Sequence, residues 1–246
     1  GSTTITSTGL TIGRGAINHF KIKGRIISIS PLAGTVGAFI TLSGDGFGNE
    51  YVRIRMGTKL EPADQRYLSQ ITEKGTFTAI FTVDIQPFGT TTIRVNGEAS
   101  AYVVDGSITI RPNIYYISSS FGTIGSSVEI RGNGYGSSEV VDVDFGALSA
   151  GDTGTTGANF DGVFSYTFTV LTQPATVTIT AKGLTTGTSA TTIYRITSKI
   201  TLISPTSGTV GSTVTVQGEG FGASEYVQIS MSDLSFGLSG SNVRWA

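Results

Sequence analysis

The chain has no cysteine, one histidine, one tryptophan and six prolines, and only 13% of its 246 residues are charged. Without cysteine there is no disulfide, no thiolate metal site and no cysteine nucleophile. With His19 as the only histidine, a serine–histidine–aspartate triad has a single candidate base. The formal net charge is −1 and no run of like charge occurs. That leaves no basic stripe to neutralise nucleic-acid phosphates and no polybasic segment for anionic lipid. No apolar run approaches the ~20 residues of a membrane-spanning helix, and no segment reads as a signal peptide. Gly1-Ser2 reads as a scar left by tag removal. On that reading the chain is an excised fragment, with targeting signals expected outside it.

What is present points to β-structure. Glycine is abundant (34 residues), threonines are many and apolar runs are short; β-branched side chains suit a pleated, half-buried surface. At 38% hydrophobic residues the chain can bury a core and is not expected to be disordered.

Three segments read alike: ISPLAGTVGAFITLSGDGFG from Ile29, ISSSFGTIGSSVEIRGNGYG from Ile117 and ISPTSGTVGSTVTVQGEGFG from Ile203. Gly34, Gly122 and Gly208 lie 88 and then 86 residues apart. A period this long suits a whole small sandwich and is too long for a solenoid repeat. Alternation then marks the strands. Ile40 and Leu42 face inward in the first copy, with Val128 and Ile130, then Val214 and Val216, as counterparts. On the next strand Val52, Ile54 and Met56 match Val141, Val143 and Phe145, and then Val227, Ile229 and Met231. The positions between them change sign freely, from Arg53/Arg55 to Asp142/Asp144 to Gln228/Ser230, as a solvated face would. Further strands are expected around Phe77–Val83 with Phe164–Val170, Thr92–Val95 with Thr178–Ala181, and Ile108–Ile110 with Tyr194–Ile196.

The chain also begins and ends inside a repeat. TTITSTGL at Thr3 mirrors VTITAKGL at Val177. The expected organisation is residues 1–25 as the last strands of an upstream repeat, 26–112 and 113–199 as complete repeats, and 200–246 as the first strands of a downstream repeat. Truncation of a longer array accounts for the broken ends. Strand exchange between half-repeats is the competing account, and an isolated half-sandwich would invite it.

The pattern S-P-x-x-G-x-V-G-x-x-V-x-[IV]-x-G-x-G-F-G, best seen from Ser204-Pro205 through Phe221, resembles the IPT/TIG family of immunoglobulin-like repeats. The later G-x-F-x-x-x-F-T-V at Gly75–Val83 and Gly162–Val170 is similar to versions in microbial surface proteins. The second copy departs from the pattern by carrying Ser119 where the others have Pro31 and Pro205. The resemblance implies an all-β chain of tandem immunoglobulin-like sandwiches, used as spacer, adhesive or assembly modules. It implies no catalytic residues, and the family's DNA-contacting members use basic loops that have no counterpart here.

His19 reads as an incidental surface residue. Asp142 and Asp144 share one strand face, and with Asp152 and Asp161 they form the densest acidic region. They make no Asp-x-Asp-x-Asp calcium loop, and a solvated face is the expected reading. Gly44-Asp45-Gly46-Phe47-Gly48 suggests a phosphate loop, but no Gly-Lys-Ser/Thr and no helix follow it; turns with positive φ account for the glycines. Tyr115-Tyr116, at the junction of the two repeats, is expected to pack between them, with sugar stacking as the alternative. Trp245, the one tryptophan, lies at the ragged end. The insertion Lys59–Lys74 is the candidate partner-binding edge, with a short helical turn near Pro62 and an aromatic, Tyr67. No catalytic, cofactor-binding or metal residue is assigned, and no cofactor is expected.

The expected function is a non-catalytic structural or assembly segment of a cell-surface or extracellular, surface-layer-like repeat protein, with an adhesin or carbohydrate-binding module as the alternative. The expected partners are other copies of the chain or neighbouring repeats of its parent, with glycans as a second class. Neither nucleic acid nor membrane insertion is expected.

Overall fold

The computed structural model describes residues 2–48, 50–57, 67–70, 75–146, 154–172, 176–231 and 234–239. Every regular element among them is a β-strand. Two compact units form, Gly1–Pro112 with Phe160–Gly162, and Asn113–Asn159 with Val163–Ala246.

In the first unit, β1 (Ser2–Thr8) and β2 (Gly15–Lys21) make a separate hairpin. A sandwich follows, built from β3 (Arg25–Ser30), β4 (Ala33–Gly34), β5 (Phe39–Asp45), β6 (Tyr51–Met56), β7 (Tyr67–Gln70), β8 (Phe77–Thr82), β9 (Gly89–Gly97) and β10 (Val103–Ile110). One sheet has the order β3-β5-β8 and the other β4-β10-β9-β6-β7. After β3 the chain changes sheets, because β4 pairs in parallel with β10. Alternation places Ile40 and Leu42 of β5 and Phe77 and Phe81 of β8 in one inner layer. They meet Ile54, Ile93, Val95 and Ile108 of the other sheet in a single core.

The second unit repeats this plan. Its strands are β11 (Asn113–Ile117), β12 (Phe121–Gly122), β13 (Ser127–Asn133), β14 (Val140–Phe145), β15 (Thr155–Gly157), β16 (Phe164–Thr169), β17 (Thr176–Gly183) and β18 (Ser189–Ile196). The sheets are β11-β13-β16 and β12-β18-β17-β14-β15, again with a parallel join through β12. Ile130, Val143, Phe145, Ile179 and Tyr194 lie in its core. Burying one such side chain is worth roughly 1.5–3 kcal/mol. Beyond it come two hairpins, β19 (Lys199–Ser204) with β20 (Thr215–Glu219), and β21 (Val227–Met231) with β22 (Leu234–Ser239).

The copies agree down to their irregularities. Arg25 pairs with Asp45, Asn113 with Asn133 and Lys199 with Glu219, each the first rung of a β3–β5-type ladder. Each ladder then slips one residue, after Ile26, Ile114 and Ile200 respectively. Such a bulge re-aims the strand locally. Likewise β1–β2 pairs Thr4 with His19 as β17–β18 pairs Thr178 with Ile193, both 174 positions on.

The inward assignment holds for both sandwiches and changes in the third copy. There Val214 lies outside β20 and is 47% exposed, while Val216 is only half-buried. Ile5 and Ile17 of the β1–β2 hairpin are exposed too. The alternation is present in both places, but among the described residues no second layer covers it.

The Gly-x-Gly-aromatic-Gly segment ends β5 and β13. Gly46 and Gly134 hold φ of +77° and +73°, a left-handed region open to glycine. Phe47 and Tyr135, one residue on, meet Phe77 and Phe164 edge-on at centroid distances of 5.5 and 5.0 Å. A Cβ at Gly44 or Gly132 would come within 2.4 or 2.2 Å of the Phe77 or Phe164 ring. The glycines therefore serve the turn and the ring packing. In the second copy, where Ser119 replaces proline, the Ser119 hydroxyl donates to the Phe121 carbonyl at 2.6 Å and closes the bend.

Candidate functional site

The features with chemical potential fall on the turns and outer faces of the sheets. The clearest was not apparent from the sequence. Glu50 at the start of β6 is buried and accepts hydrogen bonds from the backbone N–H groups of Ala99 and Ser100, at 2.6 and 2.8 Å. Glu139, beside β14, does the same for Thr185 and Thr186, at 3.2 and 3.0 Å, and also accepts from Gly136 N–H. Each carboxylate thus pins the hairpin loop that joins β9 to β10 or β17 to β18. Burial pushes the Glu50 carboxyl up, but donation from the Ser100 side chain and from the backbone of Ser100, Ala99 and Gly48 prevails, and its pKa lies below the ordinary 4.5. The signal available in sequence was a glutamate two or three residues past each Gly-aromatic-Gly, at Glu50, Glu139 and Glu225. Both carboxylate oxygens of Glu50 and of Glu139 accept hydrogen bonds, so each serves as a lock.

On the outer face of β11-β13-β16, the Arg131 guanidinium lies 4.8 Å over the Tyr116 ring. Arg131 donates to Glu129 at 2.8 Å, and the Ser165 hydroxyl donates to Glu129 at 2.7 Å. The Arg131 and Ser165 donors, in that order, hold the Glu129 carboxyl below its usual range. Tyr115 and Tyr116 are 50% and 40% exposed. Within the second unit both rings lie at the surface, and Tyr116 stacks on arginine.

Asp142 is the sharpest departure from the sequence reading. Expected on a solvated face, it is only 5% exposed, and its Oδ1 has no hydrogen-bond partner. Alternation reports which side of a sheet a residue faces and is silent on what lies over that side. Asp144, two residues along the same face, is half-buried.

The other candidates disperse. His19 sits within β2, opposite Thr4 and exposed. Asp161 lies in the turn before β16, partly exposed. The segment around Pro62, Asp152 and Trp245 lie outside the described residues. Of the insertion, Tyr67–Gln70 forms a strand paired with β6, so part of it extends the sheet edge. A cleft of about 140 Å³ is lined by Val36, Ile54, Met56 and Ile85 together with Arg55 and Asp84. Sites for drug-sized ligands usually measure about 300–1,000 Å³. Among the described residues no three of His, Cys, Asp and Glu stand together as metal ligands, and no helix is long and apolar enough to cross a membrane.

Fold and sites together define an all-β protein of tandem immunoglobulin-like sandwiches. The IPT/TIG domain model matches residues 198–242. That segment carries the third copy of the motif found at Ile29 and Ile117, so the two complete copies share the motif of a segment similar to the IPT/TIG domain. No curated protein matches the chain. Among solved structures, a tetra-tandem repeat from the extending region of a large adhesion protein is 17% identical, with a TM-score of 0.34. The alignment covers 89% of this chain and 63% of that one, so the chain spans under two thirds of that neighbour's length. A titin A168–169 fragment is 15% identical over 72% of this chain and 96% of that one, at 0.31. The BSP domain of a biofilm-associated protein is 14% identical over 70% and 29%, at 0.24. At these scores the likenesses carry no argument.

Proposed function

We propose that the chain is a non-catalytic structural or assembly segment of a cell-surface or extracellular, surface-layer-like repeat protein. The observation that carries this reading is the copying of one sandwich, with the same rungs and the same bulge, in successive repeats. Selection for a reactive centre would preserve a few side chains in one copy; here the copied features are turns, ring packing and a carboxylate lock. The polar outer positions differ freely between copies, as suits a module whose job is to hold distance. Joins are short: Arg111 and Pro112 separate β10 from β11, and Thr197 and Ser198 separate β18 from β19. Short joins of this kind favour a stiff array.

Its partners in this reading are neighbouring repeats and other copies of the chain. Antibodies raised against the chain should label intact source cells without permeabilisation; labelling only after lysis would refute the surface assignment. Sedimentation over a hundredfold concentration range should reveal self-association, and a concentration-independent monomer would remove copies of the chain as partners.

A second reading, an adhesin or carbohydrate-binding module, is favoured by one observation, the exposed Tyr115 and Tyr116 beside Arg131. Exposed rings next to hydrogen-bonding groups suit sugar faces. Binding on a glycan array that is lost in Tyr116→Ala would establish it, and a blank array would dismiss it.

A further inference from the structure

We infer that the rim of the second sandwich at Gly122–Ser126 is the seat of the next repeat, and that Lys199 locks the β19–β20 hairpin onto it. The inference rests on the reading of the chain as a spacer and names the device that stiffens a joint. Three consecutive residues carry it. Thr197, the first residue after β18, donates its N–H to the Gly122 carbonyl at 2.8 Å. Ser198 runs beneath the turn that follows β20. A Cβ on Gly220 would come within 2.7 Å of the Thr197 carbonyl oxygen and 3.1 Å of Ser198 Cα. Lys199, the first residue of β19, reaches 75 positions back and donates to the Ile124 carbonyl at 2.9 Å.

The landing point is rigid. Gly125 N–H donates to the Val170 carbonyl at 2.9 Å, and Val170 N–H donates to the Ser126 carbonyl at 2.8 Å. The turn is thereby tied to the end of β16, and Ile124 packs against the second core. The Lys199 ammonium also pairs with Glu219, its partner on the first rung of β19–β20, at 3.0 Å. One cation therefore joins both strands of the hairpin to the sandwich before it, and a charged donor makes the stronger class of hydrogen bond. A two-stranded hairpin is marginal by itself, so a two-residue linker without the lock would let it swing. Part of the device is copied. Gly46 of the first repeat holds φ of +77° and lies against the Lys23 carbonyl, in the linker before β3. Glycine lets the turn approach its own linker where a Cβ would not fit. The lysine belongs to the third copy. Arg25, on the same rung of the first, spends its guanidinium on two bonds to Asp45, and Asn113 stands there in the second.

The test is measurement of residual dipolar couplings on the full chain in a weakly aligning medium. In wild type the amides of β19–β20 should fit the same alignment as those of β13–β18. In Lys199→Met the hairpin's couplings should shrink by about half or more, as it swings on the nanosecond-to-microsecond scale of loops, while β13–β18 keep theirs. Glu219→Gln spares the bond to Ile124 and should stay close to wild type. Two glycines inserted between Thr197 and Ser198 should free the hairpin even with Lys199 present. Contacts between Leu202 and Gln217 across the hairpin report that it is still formed. Should Lys199→Met lose them, the insertion variant decides, and wild-type couplings there overturn the inference. It is also overturned if the wild-type hairpin aligns separately from the sandwich, or if Lys199→Met keeps full couplings. A loss in Glu219→Gln equal to that in Lys199→Met would overturn it too, since the ion pair within the hairpin would then be the operative contact. Surface labelling seen only after lysis would strike the spacer reading and leave these couplings unchanged.

Discussion

Substituting Gly132 by alanine tests the copied ring-and-glycine packing where it is tightest. The added methyl would sit 2.2 Å from Phe164 Cε1 and 2.9 Å from its Cζ, whereas ordinary contacts begin near 3.4 Å. The Phe164 ring must retreat by more than an ångström, but Tyr135 stands edge-on against it at 5.0 Å and blocks that path. Gly132 is not among the positive-φ residues, so the backbone itself tolerates alanine and the cost is steric. Overpacking of this kind costs about 1–3 kcal/mol. In a repeat of this size each kcal/mol moves the melting temperature by about 4–8 °C. Scanning calorimetry of the full chain should therefore show the transition of the second repeat falling by roughly 4 °C or more. Trimming the ring with Phe164→Leu should relieve the clash, so the double variant should lose less than the sum of the singles. Gly44→Ala, 2.4 Å from Phe77 Cε1, should reproduce the effect in the first repeat only. A Gly132→Ala protein that melts like wild type, or strict additivity with Phe164→Leu, would refute this packing account.

The Glu50 lock gives a pH dependence whose sign follows from its lowered pKa. Its contribution is fully present above the unfolded value near 4.5 and is lost as pH falls through the lower folded value. Glu50→Gln should therefore flatten the acid limb of the first repeat's stability curve below about pH 4.5, and an unchanged limb would contradict the lock. Ile130→Ala, at a fully buried position, should cost about 2–5 kcal/mol by denaturant titration. Tyr135→Phe removes one hydrogen bond, to the Ala181 carbonyl at 3.1 Å. Because Phe47 already fills the equivalent place, the cost should stay near 1 kcal/mol. Arg94→Ala breaks an exposed pair with Asp105 and should leave the melting temperature unchanged.

Alternation made both cores legible, because Ile40, Leu42, Val128 and Ile130 could be assigned inward from period two alone, and all four are buried. The same rule overreached at Val214, where a facing layer decides burial and the period cannot report it. Asp142 was misread for the complementary reason. A polar residue on the outer face is solvated only if that face is open. Glu50 and Glu139 were missed because a glutamate after a glycine turn looks like a surface charge until the loop that donates to it, some fifty residues away, is in place. The contact of Tyr116 with Arg131 was not legible, because only the bulged register sets the two residues opposite each other.

Everything rests on each complete copy closing its own two-layer core. Native-state hydrogen exchange measures this strand by strand. Slow exchange is predicted for β5, β8 and β9 and for β13, β16 and β17, with Ile130→Ala loosening only the second set. Exchange in β1–β2 and β19–β20 should be far faster. Protection spread evenly from β1 to β20, or loosening of β5 and β9 by Ile130→Ala, would contradict two independent sandwiches.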